Sequence, residues 1–257
     1  MNHQLQPVIF TGHGSPMNAI ESNEFSRAWR QTADALPRAR AILCVSAHWF
    51  THGLRLTDAV HPKTIHDFYG FPNELYRISY PAHGAPDVAA EASALLGGVS
   101  MDNSWGLDHG AWSVLRHMFP KADIPMTMLS VDRDASNEDH YRVGQALLPL
   151  RRQGVLIFCS GNVVHNLNRV RWDMPGGLPW AQEFDTAIQK TVLGGHHEDV
   201  VRVENHGEAG KLAVPISDHY APLLVALGAS QSTDKIIITN AQCVLGSLSM
   251  TCYQFGA

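Results

Sequence analysis

Apolar residues in this chain fall into short continuous runs, separated by stretches with helical spacing. Pro7 to Thr11 (PVIFT), Ala41 to Ala47 (AILCVSA), Pro125 to Val131 (PMTMLSV) and Val155 to Ser160 (VLIFCS) are four such runs. Runs of this length without polar alternation read as strands buried on both faces, as in a parallel sheet. Between and beyond them, Glu24 to Leu36, Pro86 to Leu96, Gly110 to Phe119, Ser136 to Gln153 and Trp180 to Leu193 carry helical spacing. Proline, serine and Gly-Gly signals bound these stretches. Ser136 is placed as an N-cap, and Ser217 is expected to cap a further helix over Asp218 to Leu227. Val99 to Asn103, Lys235 to Thr239 and Ser247 to Phe255 are expected strands, the last alternating like a half-solvated edge. Thr57 to Pro81 is a loop rich in Gly, Pro, Asp and Asn that carries Phe68, Tyr69, Phe71, Tyr76 and Tyr80. Long loops of this kind commonly wall a binding pocket.

Strands alternating with helices predict an α/β fold with a largely parallel central sheet flanked by helices. Residues 1–257 are expected to form one domain, because no Ser/Gly/Pro-rich linker divides them. A hydrophobic content of 45% over 257 residues builds such a core without disulfides. In open sheets of this type ligands collect at the carboxyl ends of strands. His13, His48 and His165 each fall just after an apolar run, so the three share that address.

Charge and cysteine usage narrow the setting. The net charge is −5 with mixed signs, and no basic stripe points to nucleic acid or an anionic membrane. The first ten residues, MNHQLQPVIF, lack a signal-peptide pattern, and no apolar run approaches the roughly 20 residues that span a bilayer. Cys44, Cys159, Cys243 and Cys252 form no CxxC pair, and Cys44 and Cys159 sit within apolar runs as small hydrophobes. A cytoplasmic protein, monomeric or a small homo-oligomer, is expected.

Histidine carries the candidate chemistry. The chain has 15 histidines, a high count for its length, and neutral imidazole is the commonest protein metal ligand. His13 lies between two glycines, His48 precedes Trp49, and His165 follows a Gly-Asn turn. His219 is expected in the first turn of a helix, where a cation is disfavoured and the ring is left free for metal. His109 stands in Asp108-His109-Gly110, where the aspartate is an ordinary helix cap. His66 lies in the aromatic loop, either touching substrate or bracing the loop. Taken alone, a histidine is more often a surface or hydrogen-bonded core residue than a ligand; the shared strand-end address is what changes that reading. His3, His52, His61, His83, His117, His140, His196, His197 and His206 lie in polar or loop contexts and are read as structural or solvated. Walker A, GxGxxG, HExxH and GxSxG patterns are absent from the sequence, and the strand cysteines are poor nucleophile candidates.

The motifs in order are Gly12-His13-Gly14-Ser15-Pro16, Ser46-Ala47-His48-Trp49, Thr64-Ile65-His66-Asp67-Phe68, Gly70-Phe71-Pro72 and Tyr80-Pro81-Ala82. Trp105-Gly106-Leu107-Asp108-His109-Gly110, Ser160 to Leu167 (SGNVVHNL), Asp218-His219-Tyr220 with Pro222-Leu223-Leu224, and Gly246 to Met250 (GSLSM) follow. Together they resemble the 4,5-DOPA extradiol dioxygenase family, within the class III extradiol ring-cleavage dioxygenases. The resemblance covers nearly the whole chain. It implies a non-haem metal site at strand ends, with His13, His48, His165 and His219 as its histidines. It also implies cleavage of a catechol beside its diol with O2. Fe(II) is the ion that chemistry requires, and a nitrogen-rich site also accepts Zn(II). His165 is either a ligand or an acid/base group, and His109 resembles the second acid/base histidine. His66, Trp49 and Tyr220, with Phe50 and Phe68, are candidates for the substrate wall, each equally readable as packing. Tyr80-Pro81-Ala82-His83 departs from the family's more usual Tyr-Pro-Ala-Pro-Gly. Two other functions use the same residues: a zinc hydrolase, and a non-catalytic metal-binding protein.

Overall fold

The four apolar runs pair with one another side by side in a computed structural model that describes residues 4–256. The strands are β1 (Val8–Gly12), β2 (Ala41–Thr51), β3 (Arg55–Leu56), β4 (Ser100–Met101) and β5 (Met126–Asp132), then β6 (Val155–Gly161), β7 (Ile236–Thr239), β8 (Cys243–Val244), β9 (Leu248–Ser249) and β10 (Cys252–Phe255). The helices are α1 (Glu24–Ala35), α2 (Pro86–Leu95), α3 (His109–Met118), α4 (Asn137–Leu147) and α5 (Pro149–Arg152), then α6 (Pro179–Leu193), α7 (His197–Val201), α8 (Gly207–Ala213) and α9 (Ala221–Gly228). Eight strands form one sheet in the order β4-β3-β5-β2-β6-β1-β10-β7, and β8 pairs with β9 apart from it.

The centre of the sheet, β5-β2-β6-β1, is parallel throughout, so these four strands deliver their carboxyl ends to one edge. Their side chains alternate between two cores. Val8, Phe10, Leu43, Val45, Ile157 and Cys159 pack with α6 and α9 through Phe184, Leu223 and Leu224. Ile9, Ile42, Cys44, Leu156 and Phe158 pack on the other face with Trp29 of α1 and Trp112 and Leu115 of α3. Burial on both faces is why these strands carry no polar alternation. His3 lies outside the described residues.

Four expectations are corrected. The strand expected to stop at Ala47 runs on to Thr51, with a bulge between Val45 and Phe50, so His48 lies within the irregular end of β2 rather than beyond it. Ser136 caps its helix through a capping box, but Pro149 lacks an N–H and divides the expected helix into α4 and α5. The helix expected from Asp218 starts at Ala221. Residues 218–220 form a turn in which the Ser217 carbonyl accepts from the N–H groups of Tyr220 (3.1 Å) and Ala221 (2.8 Å). The last expected strand is split into β9 and β10, and β10 is an interior strand between β1 and β7. Its alternation sorts Tyr253 and Phe255 into one core and Cys252 into the other, while the buried Gln254 amide donates to the Gly256 carbonyl. The half-buried edge is β7.

Candidate metal centre

Each strand end presents its histidine through main-chain anchors. The His13 N–H donates to the Gly161 carbonyl (3.1 Å), which ties the loop after β1 to the end of β6. Beyond β6, Asn162 N–H donates to the His219 carbonyl (2.9 Å) and His165 N–H to the Ala213 carbonyl (2.9 Å). A Cβ at Gly161 would strike the His219 carbonyl, so the absence of a side chain there lets the turn carrying His219 close onto β6. On the other side, Asp108 caps α3 by accepting from Ala111 N–H (3.1 Å), which places His109 as the first helical residue. A Cβ at Gly110 would lie 2.8 Å from His48 Cδ2, so glycine makes room for that ring.

Five imidazoles converge as a result. Ligand atoms of His13, His48 and His219 lie within 4.8 Å of one another. His48 Nε2 is 3.0 Å from His13 Nε2, and the His48 ring centroid is 3.9 Å from that of His109. His165 stacks face to face on His219, with centroids 3.4 Å apart and planes 6° from parallel. His13, His109 and His219 are buried, at 1%, 5% and 5% exposure. Burial, followed by repulsion from the other imidazoles, holds His13, His48 and His165 well below the ordinary histidine range. These three rings are therefore neutral donors at neutral pH.

The hydrogen bonds indicate where the lone pairs point. Ser160 Oγ donates to the Gly110 carbonyl (2.6 Å), so it can only accept from His13 Nδ1 at 3.0 Å. His13 Nε2 is then a bare lone pair, and it faces His48 Nε2. Both nitrogens of the buried His219 lack a hydrogen-bond partner, although Asp218 Oδ1 lies 3.1 Å from Nδ1. The partnerless His219 nitrogens, beside the His13 and His48 nitrogens that face one another on rings reluctant to take a proton, suit a divalent cation with nitrogen preference. His13, His48 and His219 are the residues that would hold it.

Two residues that composition and spacing did not single out complete the surroundings. Asp67 accepts from the His109 N–H and from His109 Nδ1, both at 2.9 Å, and its Oδ2 lies 3.2 Å from His48 Nδ1. Ser160 orients His13 as described. The first pairing joins residues 42 apart and the second residues 147 apart, and no local pattern announces either. Burial works to raise the Asp67 carboxyl, but hydrogen bonds and charge from His109 outweigh it and hold it below the usual carboxylate range. Behind it, burial and then repulsion from Asp67 push Asp108 up to about 6, against hydrogen bonds from Ser46 (2.7 Å) and Trp105 (3.0 Å).

The expected substrate-wall residues separate into two groups. Phe68 meets His109 edge-on, with centroids 5.4 Å apart, and so borders the cluster. His66 lies one layer further back, in ring contact with Phe68 and Trp112, and its Nε2 donates to the Ile78 carbonyl (3.1 Å). Trp49 is buried and stacked parallel to Trp105. Tyr220 is buried against Phe184, with its hydroxyl donated to the Val200 carbonyl (2.8 Å). Phe50 packs against the core beneath the Arg133 guanidinium.

An α/β protein with imidazoles gathered at the carboxyl edge of a parallel sheet belongs to the class whose ligands bind at the ends of its strands. Comparison with known proteins narrows the class. The family described as the catalytic LigB subunit of aromatic ring-opening dioxygenase matches residues 7–253, and the chain belongs to it. It is 42% identical over 263 residues to the 4,5-DOPA dioxygenase extradiol of Escherichia coli K12, covering 100% of this chain and 97% of that protein. Against the 4,5-DOPA dioxygenase extradiol of Beta vulgaris it is 37% identical over 260 residues, covering 98% and 97%. A crystal structure of an uncharacterized protein from Escherichia coli K12 superposes with a TM-score of 0.82 at 37% identity, covering 98% of this chain and 100% of that one. The protein is an extradiol ring-cleavage dioxygenase.

Proposed function

We propose that the chain holds one divalent ion at His13, His48 and His219 and uses it to open the ring of a DOPA-like catechol beside its diol, with O2 as co-substrate. The observation that carries this reading is the convergence of three imidazoles, from the ends of β1 and β2 and the turn before α9, within 4.8 Å. The names of the relatives support the substrate class. Fe(II), when bound, supplies the redox chemistry that lets a catechol and O2 react at one centre, and Zn(II) suits the same donors without supplying it. The remaining work belongs to this chain's side chains. His109, fixed through Nδ1, keeps Nε2 available to take the diol proton and return it as the ring opens. His165, stacked on His219 outside the three-histidine set, serves as the second acid/base group. Positioned groups of this kind contribute about 10²–10⁴-fold each. Phe68 offers an aromatic edge at the border of the site. We place this activity in the cytoplasm, supported by four unpaired buried cysteines. Among the described residues, no helix is long and apolar enough to cross a membrane.

The test is anaerobic loading with Fe(II), followed by DOPA and simpler catechols in air-saturated buffer. A yellow ring-fission product is expected with iron and not with zinc. An unchanged catechol over a fully iron-loaded site would overturn the assignment, and oxygen-independent ester or amide cleavage by the zinc form would replace it with a hydrolase.

A further inference from the structure

The loop over Thr57 to Pro81 carries Asp67 and Phe68 to the imidazole cluster, and its two ends meet at a narrow neck. Gly84 N–H donates to the Val60 carbonyl (2.8 Å), and further in Tyr80 N–H donates to Thr64 Oγ1 (2.9 Å). A Cβ at Gly84 would strike the Ala59 carbonyl, so this close approach requires glycine. Met126 N–H donates to the His83 carbonyl (2.8 Å) and Ala85 N–H to the Met126 carbonyl (3.1 Å), which fastens His83 to the start of β5. Two histidines flank the neck, His61 on one side and His83 on the other. Both are exposed, and their rings meet with centroids 5.2 Å apart and planes 57° apart.

That separation falls within the range found inside the metal centre. The pairs His13–His48, His48–His219 and His13–His219 have centroids 4.9, 5.0 and 5.4 Å apart. Two imidazoles on one tetrahedral ion, with metal–nitrogen bonds of about 2.0–2.1 Å, hold their ring centres roughly 5 Å apart. Neither ring is otherwise occupied. Among the described residues, the His61 and His83 side chains make no hydrogen bond to protein, whereas His66 in the same loop gives Nε2 to the Ile78 carbonyl (3.1 Å). Because the main chain on both sides is already pinned, an ion meets the two rings together without ordering the loop first. His83 also stands where the family's more usual Tyr-Pro-Ala-Pro-Gly run has proline, so the pair does not come with the family's motifs. We propose that His61 and His83 form a second, weaker site for a divalent ion that prefers imidazole, such as Zn(II), and that the bound ion staples the neck of the loop. Two exposed ligands hold an ion less tightly than the three histidines of the metal centre.

The test is calorimetric titration of the metal-free protein with zinc at pH 8, where protons compete little for imidazole. The wild type is expected to show a tight event and a weaker one. His61→Ala and His83→Ala should each abolish the weaker event and leave the tight one unchanged. Both replace exposed side chains, and thermal unfolding checks that each variant folds. A weaker event that persists in either variant, or a wild type without one, overturns the site. The staple is read separately, by hydrogen exchange of the Gly84 amide in protein whose tight site is already filled. At free zinc about ten times the weaker dissociation constant, any opening that releases the ion is suppressed about tenfold. Gly84 exchange should slow by that factor in the wild type and keep its rate in His83→Ala. An unchanged rate in the wild type overturns the staple.

Discussion

Two sets of side chains meet at the imidazole cluster, and they are held in different ways. His13, His48, His165 and His219 gather at the carboxyl edge of the sheet, placed by strand ends and by main-chain bonds such as His13 to Gly161 and Asn162 to His219. Asp67, Phe68 and His109 belong to the long loop and the first turn of α3, and side chains place them: Asp67 on His109, Trp112 on the loop carbonyl, Asp108 as the cap. The sheet set therefore inherits the stiffness of four parallel strands buried on both faces. The loop set depends on a few polar contacts whose removal leaves the sheet standing. The division matches the chemistry, because a metal needs donors that stay put and a proton carrier needs a partner that defines its tautomer.

The largest expected effect comes from the sheet set. His219→Ala should weaken zinc binding by more than the roughly 100-fold that a lost orienting partner costs, with iron-dependent activity lost as well. Calorimetry on the metal-free protein checks this. Retained affinity would show that His219 is no ligand and would blur the distinction between the sets. In the loop set, His109→Gln should lower kcat by about 10²–10⁴-fold while the metal content per chain stays at the wild-type value. Metal analysis alongside steady-state kinetics tests the split, and parallel loss of metal would merge the two sets into one.

Gly161→Ala presses a methyl group into the His219 carbonyl, and backbone cannot yield as a flexible side chain does. A destabilisation of about 1–3 kcal/mol is expected by urea unfolding, together with weaker zinc binding. The pH dependence has a definite sign. Burial keeps His13, His48 and His165 harder to protonate in the folded protein than in the unfolded chain, where histidine titrates near about 6.5. Above that value both states are neutral and the three rings have no effect on folding. As pH falls through it, the unfolded chain gains protons that the folded one refuses, so metal-free stability declines. Urea midpoints between pH 8 and pH 5 should fall, and should fall at least as steeply with zinc bound at saturation, because a liganded ring also refuses the proton. Tyr220→Phe is the smallest change, removing one buried hydroxyl from the Val200 carbonyl at a cost of about 1–2 kcal/mol. It should leave zinc affinity and KM untouched; a raised KM would return Tyr220 to the substrate wall.

The two sets were also unequally legible. Apolar runs mark β1, β2, β5 and β6 from composition alone, because a strand buried on both faces needs no polar residues, and the histidines after those runs stand out against them. The pairing of Asp67 with His109 and His48 spans a loop without periodicity, so nothing local points to it. Trp49 and Tyr220 show the opposite limit: both stand beside motif histidines, yet Trp49 is stacked on Trp105 and Tyr220 is anchored in the core. Adjacent residues on an extended chain face opposite sides, so neighbourhood in sequence is a poor guide to neighbourhood in a site.

Hydrophobic runs, helix caps and turn residues act over a few positions, which is why the layered α/β architecture and the strand-end address of His13 and His165 are written in the chain itself. The bulge that turns His48, the turn that delays α9 until Ala221, and the interior place of β10 depend on which strand lies beside which, and only packing decides that. Protonation is the most distant consequence: whether a ring nitrogen holds hydrogen or a lone pair is set by the atom opposite it, here Ser160 Oγ or the Asp67 carboxylate, brought there by the fold from far along the chain.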